Sequence, residues 1–199
     1  AAPGLSMGNA RLAIVDPGLG VQPMLHVETG VVLVFNGEVF NFVELRQQLE
    51  KDGYAFTSNS DTEVVLALYV TEGISFPTQL NGQFAIAIWD PRSRDLHLIR
   101  DRFGICPLFY QQRGERAINL RALDQIITLW TTVPGTSAFR DVAEVLPGHV
   151  LTIDAQGKLA THCYWRWSFP SLSAETRIDF GEAREAFREA LARAVRIRQ

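Results

Sequence analysis

The feature that most constrains this chain is a tight return. Residues 83–89 (QFAIAIW) alternate as a strand, 90–94 (DPRSR) turn, and 96–99 (LHLI) come back. Strands joined over so few residues pair antiparallel, because a parallel pair needs a crossover of a dozen residues or more. The device recurs at 150–153 and 159–164, around Ala155-Gln156-Gly157. A further strand is expected at 107–110. The sheets should therefore be largely antiparallel.

Upstream, 12–15 read as a strand closed by Asp16-Pro17-Gly18. Residues 31–35 are apolar throughout, which predicts a strand buried on both faces and stopped by the turn signal Asn36-Gly37-Glu38. Asn41, with Glu44 three residues on, has the spacing of a capping box. Phe42, Leu45 and Leu49 then fall on one helical face, and Gly53 ends the helix. Ser60-Asp61-Thr62-Glu63 repeats the device ahead of Val64, Leu68 and Tyr69, and 119–130 suit another helix. The class is α+β, with helices outside antiparallel sheets.

The chain is 47% hydrophobic over 199 residues, enough for a substantial core. A net charge of −3 argues against a general nucleic-acid or membrane-surface binder. No apolar run is long enough to span a bilayer. His26, His97, His149 and His162 stand singly, without metal-ligand spacing, and Cys106 and Cys163 make no disulfide framework. AAPGLSMGNA lacks the basic start and apolar stretch of a signal peptide, so a cytoplasmic location is expected. Composition shifts near Ser168: SFPSLSAETRIDF reads as a linker over 168–180, after a domain at 1–167. An amphipathic helix follows within 181–199, with Ala183, Ala186, Phe187, Leu191 and Val195 on its apolar face, and reads as the start of a second domain.

Several stretches gain meaning in their order: RLAIVD from Arg11, FNGEVFNF from Phe35, SDTEV from Ser60, LNGQFAIAIWD from Leu80, RDRFGICPLFY from Arg100, and LPGHVL from Leu146. Together they resemble the N-terminal, class II glutamine amidotransferase domain of glutamine-hydrolysing asparagine synthetases. That resemblance implies the N-terminal-nucleophile hydrolase fold, a four-layer α/β/β/α sandwich. It implies hydrolysis of glutamine to glutamate and ammonia, with Asn36 and the Gly37 backbone N–H as the oxyanion hole. It places Arg11 on the glutamine α-carboxylate, Asp61 on the α-ammonium, Glu38 beside the substrate, and Leu12 and Ile14 among the glutamine-binding residues. It further implies ATP and Mg²⁺ in a synthetase domain, a carboxylate acceptor such as aspartate, and a homodimer. No metal is implied in the first domain.

Plainer readings exist for each residue. Asn-Gly is a common turn. Asp61 is also a first-turn carboxylate favoured by the helix dipole. Arg100, Asp101 and Arg102 read first as a structural ion network, and Trp165 and Trp167 as packing residues. The resemblance also implies a nucleophilic cysteine with a free α-amine, whereas the sequence starts Ala1-Ala2-Pro3. Relatives carry a first strand and an RGPD-like loop before RLAIVD, and an FASE-IKAL-like segment near residues 116–117. Two expectations compete: an amidotransferase whose nucleophile-bearing segment stands outside this sequence, or a non-catalytic scaffold domain like that of beta-lactam synthetases. Retention of Arg11, Asn36, Gly37, Glu38 and Asp61 favours the first.

Overall fold

The computed structural model describes residues 5–9, 21–112, 117–169, 171 and 178–197. The expected strand at 12–15 lies outside the described residues. The chain divides into two compact units, Ala1–Trp165 and Arg166–Gln199.

The first unit is built on a six-stranded sheet in the order β1-β2-β3-β4-β7-β8. Its strands are β1 (Met24–Leu25), β2 (Val32–Val39), β3 (Gly82–Asp90), β4 (Asp95–Arg100), β7 (His149–Ile153) and β8 (Leu159–Cys163). Every neighbouring pair is antiparallel. Both expected hairpins are present, as β3–β4 and β7–β8. A second sheet pairs β5 (Phe109–Gln111) with β6 (Val142–Glu144). Three residues, Val142-Ala143-Glu144, gave β6 no sequence signal.

Side chains on a strand alternate between faces, and the core follows that parity. Leu33, Phe35, Ile86, Ile88, Ile99 and Val150 share one cluster with Leu49, Val64, Leu68 and Phe76. Leu98 and Leu151 turn the other way and join Val145, with Ala87, Leu96, Leu108 and Tyr110 packed around them. One face of the large sheet thus lies against the helices α1 (Phe42–Lys51) and α2 (Asp61–Glu72). Its opposite face meets residues of the β5–β6 region. A third helix, α3 (Leu120–Leu129), begins at Asn119, whose side chain accepts from Ala122 N–H.

The second strand corrects the sequence reading twice. It does not stop at Asn36-Gly37-Glu38 but runs through them to Val39, in register with Ala85, Phe84 and Gln83. Asn and Gly are poor strand formers, but pairing with β3 overrides local propensity. Nor is β2 buried on both faces: Val31, Leu33 and Phe35 are buried, while Val32 and Val34 are only partly covered. Asn41 stands at the N-cap of α1 without capping it. Its amide donates to Gln79 C=O and accepts from Asn81 N–H, tying α1 to the approach of β3.

Helix α2 is buried from Asp61 through Tyr69, so its polar first turn must be satisfied internally. Ser60 caps it by accepting from Thr62 N–H at 3.2 Å. Glu63 does not return to Ser60 as a capping box would. It accepts from the N–H and hydroxyl of both Thr57 and Ser58. Burial by itself would raise the Glu63 carboxyl pKa, but those hydrogen bonds outweigh it and hold the group lower.

A second carboxylate network sits at the β3–β4 turn. Asp90 accepts from the Tyr69 hydroxyl at 2.9 Å and pairs with Arg92 at 2.7 Å. Burial pushes the Asp90 pKa up. Hydrogen bonds from the Arg92 side chain and N–H and from Tyr69 more than offset it, and the group is held down to about 2. A depressed carboxyl contributes stability above its unfolded pKa and loses it as pH falls through the folded value. Arg92 is half exposed, so screening leaves roughly 1–2 kcal/mol. Between pH 4 and pH 2, on the order of the unfolded and folded pKa values, Asp90→Asn should flatten this component of acid destabilisation. Denaturant titrations of both proteins across that window check it. Equal slopes would remove Asp90 from the account.

In the second unit, α4 (Phe180–Arg196) is capped by Asp179, which accepts from Gly181 N–H at 2.8 Å. The helix starts two residues before Glu182, where apolar periodicity first becomes legible.

Candidate active site

Asn36, Gly37 and Glu38 are exposed. They lie on β2 where β3 pairs one edge, whereas β1 reaches only Val32 and Leu33 on the other. Backbone donors two residues apart on a strand point to the same edge. On β2 that row is Phe35, Gly37 and Val39. The outer two are taken by side chains: Phe35 N–H donates to Gln22 Oε1 at 2.7 Å, and Val39 N–H to Asp61 Oδ2 at 3.3 Å. The alternation directs the Gly37 N–H to the same edge, between them. Asn36 precedes it and Glu38 follows.

Only glycine fits at position 37. Its φ is +145°, and a Cβ there would come within 2.0 Å of the Gln83 carbonyl oxygen and 2.7 Å of Phe84 Cα. Gly82 is the matching bare position on β3, where a Cβ would meet the Glu38 carbonyl oxygen at 2.2 Å. The two backbones are therefore pressed together beside the cluster.

That register is fixed from behind. Phe84, opposite Gly37, exchanges hydrogen bonds with Asp101: its N–H donates to Asp101 Oδ2 and its C=O accepts from Asp101 N–H. The same fully buried carboxylate accepts from the N–H groups of Phe103, Ile105 and Cys106. Arg100 pairs with Glu144 at 2.6 Å and donates to the carbonyls of Gly104, Cys106 and Val145. Arg100 and Asp101 thus form a scaffold beside β3, each through its own partners: the ion pair of Arg100 is with Glu144, and Asp101 holds backbone N–H groups.

Among the predicted site residues, the fold brings Asn36, Gly37, Glu38 and Asp61 to one strand end. Arg11, Leu12 and Ile14 lie outside the described residues. Asp61 is 5% exposed, and its carboxylate reaches the strand because Ser60 starts α2 one residue earlier. Cys106 is held at its backbone by Asp101 and Arg100. Burial, then the Asp101 charge, pushes its thiol pKa up, the opposite of an activated thiolate. A cavity of about 530 Å³ beside β1, lined by His26, Tyr54 and Glu63 among others, does not include the Asn36 cluster.

Residues 1–165 match the glutamine amidotransferase domain family. The chain belongs to that family. Asparagine synthetase [glutamine-hydrolyzing] 1 of Bacillus subtilis is 31% identical to this amidotransferase domain over 92% of the chain and 32% of its own length. Amidase chry2 of Gibberella zeae is 32% identical over 98% of the chain and 31% of its own length. The chain thus spans about a third of the curated relatives it matches. Glutamine phosphoribosylpyrophosphate amidotransferase from B. subtilis, solved with ADP and GMP, matches 73% of this chain and 32% of its own, at 24% identity and TM-score 0.52. The fold is therefore the α+β N-terminal-nucleophile hydrolase type that the motifs implied.

Sequence reasoning missed Gln22, Asn9 and Thr62, which meet at this same edge of β2, beside Phe35. Gln22 accepts from Phe35 N–H and Asn9 Nδ2 and donates to Thr62 Oγ1 at 3.2 Å. Gln22 precedes a proline, which marks a bend and gives no hint of such contacts.

Proposed function

We propose that this domain hydrolyses the side-chain amide of glutamine and that the ammonia is used elsewhere in the full-length protein. The observation that supports this best is the end of β2, where exposed Asn36 and Gly37 come just before Val39, whose N–H donates to the buried Asp61 carboxylate. A nucleophile attacking the amide carbon drives the carbonyl electrons onto oxygen. Donors already in place stabilise that charge without reorganising. Collapse expels the nitrogen, which takes a proton and leaves as ammonia. Water then cleaves the acyl intermediate to glutamate and frees the nucleophile. The reading requires a cysteine thiol with its own α-amine as base, a role for which the geometry of Cys106 is unsuited.

Arg11 takes the glutamine α-carboxylate through a bidentate guanidinium, and Asp61 takes the α-ammonium. Glu38 positions the substrate, with Leu12 and Ile14 lining it. ATP-dependent amidation of a carboxylate, aspartate first among candidates, belongs to a synthetase domain that would hold ATP and Mg²⁺. The described residues of this chain form no cluster of three metal-ligating side chains. A cytoplasmic homodimer completes the proposal.

Asp61→Asn separates binding from chemistry, since the amide still accepts from Val39 N–H but carries no charge. The KM for glutamine should rise about 10–100-fold, the loss of one charge-assisted contact, with kcat nearly held. Steady-state glutamate release by the full-length protein measures this, and an unchanged KM would remove Asp61 from the ammonium site. N-terminal sequencing and intact mass of the same preparation test for the cysteine. A full-length protein without one, and without glutamate release, would instead be a scaffold domain of the beta-lactam-synthetase kind.

A further inference from the structure

We propose that Gln22 is a positioning residue that holds the two halves of the glutamine site in register. The inference rests on the reading above. Its amide orientation is unambiguous: Phe35 N–H can only donate, so the atom 2.7 Å from it is the Gln22 oxygen. That oxygen also accepts from Asn9 Nδ2 at 2.7 Å, and Asn9 Nδ2 lies 3.4 Å from the Phe35 carbonyl. Gln22 and Asn9 thus satisfy both outward backbone groups of Phe35, the work a neighbouring strand would do, just where β1 ends. From its other end, Gln22 Nε2 donates to Thr62 Oγ1 at 3.2 Å.

The two contacts fall next to the two chemistries. Phe35 precedes Asn36, and Thr62 follows Asp61. Thr62 is fully buried, and its N–H is fixed by the Ser60 cap. One side chain therefore spans from the residue before the oxyanion donors to the residue after the ammonium-binding carboxylate. A second tie, Val39 N–H to Asp61, closes the frame at the far side of Gly37. With Gln22 removed, the Phe35 N–H loses its acceptor, Asn9 loses one of its two anchors, and the tie from Phe35 to Thr62 is cut, leaving the Val39–Asp61 hydrogen bond. Misplacement of about 1 Å is enough to cost on the order of 10²-fold in rate.

The test is steady-state glutamate release by the full-length protein and its variants, alongside thermal unfolding. Gln22→Ala should lower kcat about 10–100-fold and raise KM several-fold, since both halves shift. Gln22→Glu should restore most of the kcat, because a carboxylate oxygen still accepts from Phe35 and Asn9. Thr62→Val cuts only the α2 arm and should raise KM with kcat nearly held. In an Asn36→Ala background, Gln22→Ala should lower kcat by less than about threefold, because residues acting through one another are not additive. If Gln22→Ala fails to fold, Gln22→Glu and Thr62→Val decide alone. A lowered Tm with unchanged kcat and KM per folded molecule, or kcat losses that simply multiply with Asn36→Ala, overturns the proposal. If the wild-type protein releases no glutamate, the functional reading fails and takes this one with it. If Asn36 and Asp61 variants behave as expected while Gln22 variants are silent, only the Gln22 assignment is lost.

Discussion

Asn36→Ala in the full-length protein should lower kcat for glutamine hydrolysis by about 10²–10³ and change KM far less. The negative oxygen exists only near the transition state, so a donor aimed at it contributes there and little to ground-state binding. Asn36 is exposed, so the variant should fold normally. Synthesis driven by free ammonia bypasses glutamine and should survive. Both activities are measured on one folded preparation. A parallel fall in ammonia-driven and glutamine-driven synthesis would make Asn36 a structural residue of β2.

Gly37→Ala should do more damage by a different route. A methyl group would have to occupy space 2.0 Å from the Gln83 carbonyl oxygen, in a backbone conformation of φ +145° that side chains disfavour. Rigid backbone cannot step aside as a flexible side chain would. The conformational strain and the overpacking are each worth about 1–3 kcal/mol, so roughly 2–6 kcal/mol of stability should be lost. Any folded fraction should have parted β2 from β3 near Phe84, displacing the Gly37 N–H and abolishing glutamate release. Urea unfolding and the glutaminase assay check the two effects. A variant of wild-type stability would mean that the strands are not pressed together there.

Asn36 and Gly37 mark the boundary of what the sequence makes legible. Hairpins were legible because Asp-Pro-Arg-Ser-Arg and Ala-Gln-Gly are strong turn signals, and a period of two on either side leaves few alternatives. Helix α2 was legible from Ser60, although its capping box was not formed because Glu63 found four donors in Thr57 and Ser58. The same local logic failed at Asn36-Gly37-Glu38. Turn chemistry predicted an end to the strand, and the long-range ladder with β3 carried it on to Val39. Asn41 failed similarly, since its amide found better partners at Gln79 and Asn81. Contacts between residues far apart in the chain, such as Gln22 with Thr62 or Asp101 with Phe84, leave no periodic trace in a sequence. The site residues were named by resemblance. The fold adds why Asp61 can serve the same strand end: its carboxylate takes the Val39 N–H.

The central claim is that this domain releases the side-chain nitrogen of glutamine. The most direct measurement follows glutamine isotopically labelled at its side-chain amide nitrogen, incubated with the full-length protein and analysed by nitrogen NMR. The account predicts that the label leaves glutamine and appears in ammonia, or in the product amide when ATP and an acceptor carboxylate are supplied, with glutamate formed in equal amount. Label that stays in glutamine, while ATP-dependent synthesis from added ammonia proceeds normally, would contradict it.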